Sequence, residues 1–513
     1  MNIKLLAAYS RCATFEISSQ TCYFAPQPFT VMLNGTAAGE FTQNVFTLYN
    51  LLPATQYTLH TQGAELCFTT RAESCCIRAQ AAGAVPDGIT DCTAALQQAI
   101  DTCTPGGTVL VESGVYLTYP LFLKTGVTLY LQKGAVLRGG TVREKYPVLP
   151  GMVQNEDFTE ETNFGTWEGN PLDCFASLIT AMRQDNVAVL GEGTLDGNAQ
   201  NGDWWQDAKR RRLAWRPRTV FANGCRGVDI VGVTILNSPS WTLHPYYCDN
   251  VTILNIQIRN PDDSPNTDGI DPESCDNVLV AGALVSVGDD CIAIKSGKMY
   301  MAMQHHKPTR RCTVRNCLLE RGHGAVVIGS EVAGGVDGVS VSQCAMRNTD
   351  RGLRIKTRRG RGERCVLTNI EFTNIEMERV LTPFVINMFY CCDPDGRSDY
   401  VAGKKPLPVD KNTPRVGTLT CRHIRALDCS VAGAFLYGLP EQPVENVLFD
   451  DVEITFKPDA EEDVPAMMVG ITPMKKMGLF AENVHMLTLK NVRIAGNEGS
   501  AMRLHHVEKL VEE

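Results

Sequence analysis

No segment of the 513-residue chain approaches the roughly 18 consecutive apolar residues of a membrane-spanning helix. No membrane partner is expected. Acidic residues outnumber basic ones, 57 to 48, for a net charge of −9, which argues against a nucleic-acid partner, since a polyanion calls for a basic surface. Any affinity for a polyanion must come from a local basic patch. The 20 cysteines include no CxxC pair and no compact framework, so neither a metal nor a redox centre is expected from them, and buried thiols in a reducing compartment are the plainer reading. Helices are scarce as well: one amphipathic stretch, Thr93 to about Cys103, ended by Pro105, Gly106 and Gly107, stands among short strands.

The chain is too long for one ordinary core, so two units or a core growing along one axis are expected. Residues 1–75 alternate apolar and polar residues in ATFEIS, PFTVMLNG and TQYTLHT, with turn chemistry in NGT and NLLPATQ. That texture predicts a small antiparallel β-sandwich. NLLPATQYTLHT with ELCFTT resembles the closing part of a fibronectin type III domain. The apolar run Leu5 to Ala8 is shorter than a signal-peptide core and reads as the first strand of this module.

Residues 76–513 repeat a different pattern. Aligning VTILNIQI, VLVAGALV, CTVRNCLL, VSVSQCAM and CVLTNIEF brings Gly232, Asn255, Gly282, Asn316, Gln343 and Asn369 into one column, separated by 23, 27, 34, 27 and 26 residues. A quasi-period of this length without intervening helices predicts an all-β parallel solenoid, with residues 93–103 as its N-terminal cap. Insertions interrupt the rhythm near residues 141–173, 198–218 and 298–308; the second carries Trp204, Trp205 and Trp215, which either stack on sugar faces or pack the loops onto the coil wall.

Strands one coil apart stack at about 4.8 Å, so matched positions form ladders. Laying NTDGID on GDDCIA matches Asp268 with Asp290, and laying GDD on GHG matches Asp289 with His323. Three carboxylates and an imidazole are thereby expected on one patch, where one carboxyl keeps its proton near neutral pH and the others ionise. An acid and a base side by side suit glycoside hydrolysis. The next coil, DRGLRIKTRRGRGER, supplies Arg351, Arg354, Lys356, Arg358, Arg359, Arg361 and Arg364. Because guanidinium binds carboxylate bidentately, this run points to a sugar-acid polymer as substrate.

NTDGID, GDDCIAIKSG, GHGAVVIGSE and RGLRIKT, in this order and spacing, resemble the signature of the polygalacturonases, glycoside hydrolase family 28, and the similarity extends through GAVPDGITDCTAALQQAID, GEGTLDGN and NSPSWTLHP. The resemblance implies a right-handed parallel β-helix and inverting hydrolysis of pectin or oligogalacturonate without cofactor. It makes Asp289 the general acid, Asp268 and Asp290 the activators of water, and His323 a support for the acid's protonation. Arg354 and Lys356 would hold a galacturonate carboxylate, with Asn266 close by and Lys295, Trp241 and His244 as further substrate contacts. The N-terminal module and the insertions resemble bacterial exo-acting members, and an exo mode needs a groove closed at one end. Rhamnogalacturonan or xylogalacturonan hydrolysis, a noncatalytic pectin-binding β-helix and a calcium-dependent pectate lyase are the alternatives. A cytoplasmic enzyme finishing imported oligosaccharides is expected, or a secreted one if the start has been trimmed. The sequence leaves the oligomeric state open.

Overall fold

Seven short strands open the chain in two antiparallel sheets. Ile3–Ala8, Ala13–Ile17 and Val45–Leu48 form one; Phe24–Leu33, Thr36–Gln43, Gln56–Thr61 and Ala64–Thr69 form the other. Their inner faces close around Phe15, Phe29, Phe46, Leu59 and Phe68. In this computed structural model residues 2–157 and 159–513 are described; Met1 of the expected sandwich and Phe158 of the first expected insertion lie outside them.

From Cys76–Arg78 to Met502–Glu512 the strands pair in parallel, coil upon coil, in a 29-stranded sheet beside a 4-stranded one, apart from two short antiparallel pairs at residues 148–175, giving a right-handed parallel β-helix. Helix Thr93–Thr102 buries Leu96, Ala99 and Ile100 against the same core that runs through the solenoid. It plugs the first coil. Among the described residues no helix is long and apolar enough to cross a membrane. All 20 cysteines are unpaired thiols, and Cys225, Cys248 and Cys275 occupy successive inner rungs.

The recurring Asn and Gly positions have a backbone cause. Gly232, Asn255, Gly282, Asn316 and Gln343 all take positive φ, from 50° to 80°, the left-handed conformation that Gly and Asn enter at least cost. Each marks the same corner of its coil, and each N–H donates to the carbonyl preceding the next corner residue. One member of the expected column is corrected. Gln343 lies over Asn374, whereas Asn369 continues a second left-handed column through Asn277, Arg311 and Gly338.

Strand Val45–Leu48 of the sandwich lies along this corner column. A Cβ on Gly282 would sit 2.6 Å from Val45 Cβ, and one on Gly232 would run into Tyr49. Asn255 Nδ2 donates to Thr47 Oγ1 at 3.1 Å, Asn44 Nδ2 donates to Asn316 Oδ1 at 3.0 Å, and Arg315 grips Glu16 through two bonds of 2.8 and 3.0 Å. The module is docked on the bare backbone of glycine corners. Gly282→Ala is therefore expected to cost about 1–3 kcal/mol by overpacking; a thermal midpoint equal to that of the unaltered protein would show that the contact is loose.

Candidate active site

The solenoid stacks the expected groups in the expected register. Ile270 bridges Ile292 and Asp290 pairs with Gly324, so Asp268 lies one coil from Asp290, and Asp289 one coil from His323. Nearest oxygens of Asp268, Asp289 and Asp290 fall within 4.8 Å of one another. Asp268 and Asp290 are buried, Asp289 half-buried and His323 exposed.

Three adjacent carboxyls acquire different protonation behaviour from their different neighbours. Burial and the charges of Asp268 and Asp290 push the Asp289 carboxyl up to about 7. Burial works in the same direction on Asp290, but Lys356 and Arg354 outweigh it and bring its carboxyl down to about 2. Lys356 Nζ donates to Asp290 Oδ2 at 2.7 Å and Arg354 Nη1 to Oδ1 at 3.3 Å. Burial, reinforced by Asp290 and opposed by Lys295, raises Asp268. A proton-bearing acid thus stands against a locked anion.

His323 adjoins Asp289, its backbone N–H donating to the Asp289 backbone carbonyl at 3.0 Å, but the charge of its ring acts against the expected support of that carboxyl's protonation. Asp350 pairs with Nδ1 at 2.8 Å and raises the imidazole, and its positive charge pulls the Asp289 carboxyl down instead of favouring its protonation. An imidazolium stabilises a carboxylate, so it makes Asp289 the stronger acid. Asp350 was legible by the same ladder rule, one coil beyond His323, and carries the pairing that sequence reasoning missed.

Three expected substrate contacts are corrected. His244 is wholly buried, pairs through Nε2 with Glu273 Oε2 at 3.0 Å, and is driven well below its ordinary range by burial and by Arg218. It is a core group beneath the floor. Lys295 spends its ammonium on Asp268, Asp271 and Glu331, at 3.2, 3.4 and 3.3 Å, with 4% of its side chain exposed. Trp241, also buried, lies 4.0 Å below that ammonium. Asn266 is half-buried at the rim, and its Oδ1 accepts from Arg216 Nη2 at 2.7 Å.

The run of seven cations is likewise mostly structural. Arg358 and Arg361 hold Asp393, Arg358 also holds Asp395, and Arg359 forks onto Glu441. Arg351 donates to Asp350 and to the carbonyls of Val464 and Pro465, and Arg364 to the carbonyl of Ala302. Only Arg354 and Lys356 reach the carboxylate patch.

The expected insertions interlock beside Asp268. Trp167 stacks on Trp215 with centroids 4.8 Å apart and faces Trp241 at 6.5 Å. Lys298 N–H donates to the Gly169 carbonyl at 2.9 Å, and Glu161 takes His305 Nε2 at 2.6 Å and Tyr300 Oη at 2.8 Å. Loops 141–173 and 298–308 are therefore tied to each other. Trp204 takes the packing role: it is 1% exposed, edge-on to Tyr146 and Phe175. Trp167 stands in an insertion outside the coil repeat, so no periodicity in the sequence singles it out.

A parallel β-helix bearing a carboxylate acid/base patch on consecutive coils defines a polysaccharide-acting class. Residues 155–461 match the family described as glycosyl hydrolases family 28, and the chain belongs to that family. It is 30% identical over 405 residues to a "Probable polygalacturonase" of Vitis vinifera, covering 76% of this chain and 78% of the grapevine protein. A family 28 exopolygalacturonase from Yersinia enterocolitica superposes with TM-score 0.73 at 19% identity, over 100% of this chain and 98% of the other. The hyperthermoactive exopolygalacturonase of Thermotoga maritima superposes with TM-score 0.64 at 26% identity, over 82% and 92%.

Proposed function

We propose that this protein hydrolyses the α-1,4-galacturonosidic bonds of pectin-derived oligogalacturonate and removes units from a chain end. The observation that carries the reading is the pair Asp289 and Asp290, an acid pushed up to about 7 beside a carboxylate held at about 2. Asp289 protonates the departing glycosidic oxygen. Asp290, with Asp268, takes the proton of the water that attacks the anomeric carbon. Arg354 and Lys356 orient Asp290 and face the sugar's own carboxylate, which is why a neutral glucan would bind poorly. The names of the grapevine and Thermotoga relatives support this substrate class.

End-wise action is supported by the insertions, whose Trp167 and Trp215 stack on each other and pack onto Trp241 of the coil beside Asp268. Incubation with defined oligogalacturonates is expected to give monomer or dimer from the first time point. A ladder of mid-sized fragments would sink the end-wise reading, and faster turnover of rhamnogalacturonan or xylogalacturonan would redirect the substrate.

A second stereochemical reading has one observation in its favour. Carboxyl oxygens within 4.8 Å are closer than the roughly 6.5–9.5 Å common in inverting glycosidases, which suits direct attack by a carboxylate. Against this, Asp290 is fastened by two cations and less free to attack. Inversion is expected, and proton NMR of the first product to accumulate decides it: a β-anomer supports water attack, an α-anomer the covalent route.

A further inference from the structure

Asp271 closes the NTDGID motif and has no part in the chemistry described so far. Its carboxyl is wholly buried beside the carboxyl of Asp268, whose charge acts on it directly. On its other side Lys295 Nζ stands 3.4 Å away, outside good hydrogen-bond range, and neither Asp271 oxygen receives a hydrogen bond. His244 occupies the neighbouring rung of the same row, and Glu273 and Glu331 are engaged by His244 and Lys295.

Two carboxyl groups gathered around one ammonium are both acceptors unless one of them keeps a proton. Asp268 already has Lys295 donating to Oδ2 at 3.2 Å, whereas Asp271 has no donor. An anion there would be buried without a single hydrogen bond, which is the costlier arrangement. Burial and the charge of Asp268 both push the Asp271 carboxyl well above its ordinary range, in line with this placement of the proton.

We propose that Asp271 is a positioning residue, a neutral carboxylic acid whose O–H donates to Asp268 and fixes that base between two donors, Asp271 and Lys295. The remaining lone pairs of Asp268 are thereby aimed toward the water shared with Asp290. This rests on the reading of Asp268 as part of the base. It also explains why an aspartate that could not stay ionised occupies the floor of an active site.

Two substitutions and one spectroscopic measurement test it. Asp271→Asn keeps the size and offers a neutral N–H donor, so kcat is expected to stay within about threefold of the unaltered enzyme. Asp271→Ala removes the donor and is expected to lower kcat about tenfold or more with little change in KM. The acidic limb of its pH profile should move upward, because Asp268 loses a bond that favours its anion. Equal losses in both variants, or an Ala variant as active as the parent, would overturn the proposal. Infrared difference spectra of the parent against Asp271→Asn decide the protonation state without turnover: a protonated-carboxyl C=O band at neutral pH is expected, and a carboxylate band alone refutes it. If the parent shows that band but does not cleave oligogalacturonate, the substrate reading has failed and the assignment of the proton has not.

Discussion

Asp289→Asn is expected to lower kcat on oligogalacturonate about a hundredfold or more, the usual scale of general acid catalysis, with KM little changed. An amide cannot deliver the proton that the departing oxygen needs, yet it keeps the bond from the Asp290 N–H, 3.0 Å from Asp289 Oδ1. The loss should shrink on an aryl galacturonide whose leaving group departs without protonation. That contrast separates an acid from a base, whose removal harms both substrates alike. The pH profile carries the same signature: with the acid near 7, kcat/KM of the parent falls as pH rises past that value. In Asp289→Asn the falling limb should vanish. Turnover of oligogalacturonate at parental rates would dismiss the assignment.

Lys295→Met is expected to be the most damaging substitution for stability, at about 3–5 kcal/mol for breaking a buried ion pair. One ammonium there faces Asp268, Asp271 and Glu331, and the anions among these carboxyl groups would remain buried without their shared cation. Folding raises the Lys295 ammonium well above its ordinary range, since the carboxylates outweigh the opposing effect of burial. The stability it contributes is therefore complete below the unfolded lysine value and is lost only as pH rises through the higher folded one. In the variant the dependence inverts at acid pH. Asp268 and Asp271, already raised by burial, would lose the cation that opposes the rise, while Glu331 would be held down only by Lys298, Lys356 and Arg361. Folded groups with raised values bind protons that the unfolded chain gives up, so the variant should regain stability as the solution is acidified. Thermal midpoints of parent and variant across the acid range test this; a gap that does not narrow on acidification would contradict the charge argument.

How much of this was legible in the sequence varied with the physics behind each residue. The coils were readable because a left-handed corner admits few side chains, so Asn and Gly recur where the backbone turns. Asn369 belongs to the second corner column for a physical reason. Val366–Glu378 runs through both corners as one strand, with Asn369 at the first and Asn374 at the second, and nothing local distinguishes them. Asp268, Asp289, Asp290 and His323 were readable by ladder register alone. Burial was not: His244 and Lys295 look like sugar contacts until the solenoid places them beneath the floor. The pairing of Arg358, Arg359 and Arg361 with Asp393, Asp395 and Glu441 depends on how loops fold back, which no periodicity reports. The acidic residues in the segment CCDPDGRSD, which follows the cation run, were the available hint.

A stack of coils is ordinarily a chain of neighbours, each aware only of the rung above and below, and such arrays can fray or open in the middle at modest cost. The sandwich strand laid across the corners from Gly232 to Asn316 changes that connectivity. It acts as a splint, binding rungs that do not touch each other to a common beam. The splinted stretch carries Asp268, Asp289 and Asp290 and ends at the coil of His323. The rungs that must keep their carboxylates in register to a fraction of an ångström are thus the ones least able to slip independently, and opening any of them means prying off the beam.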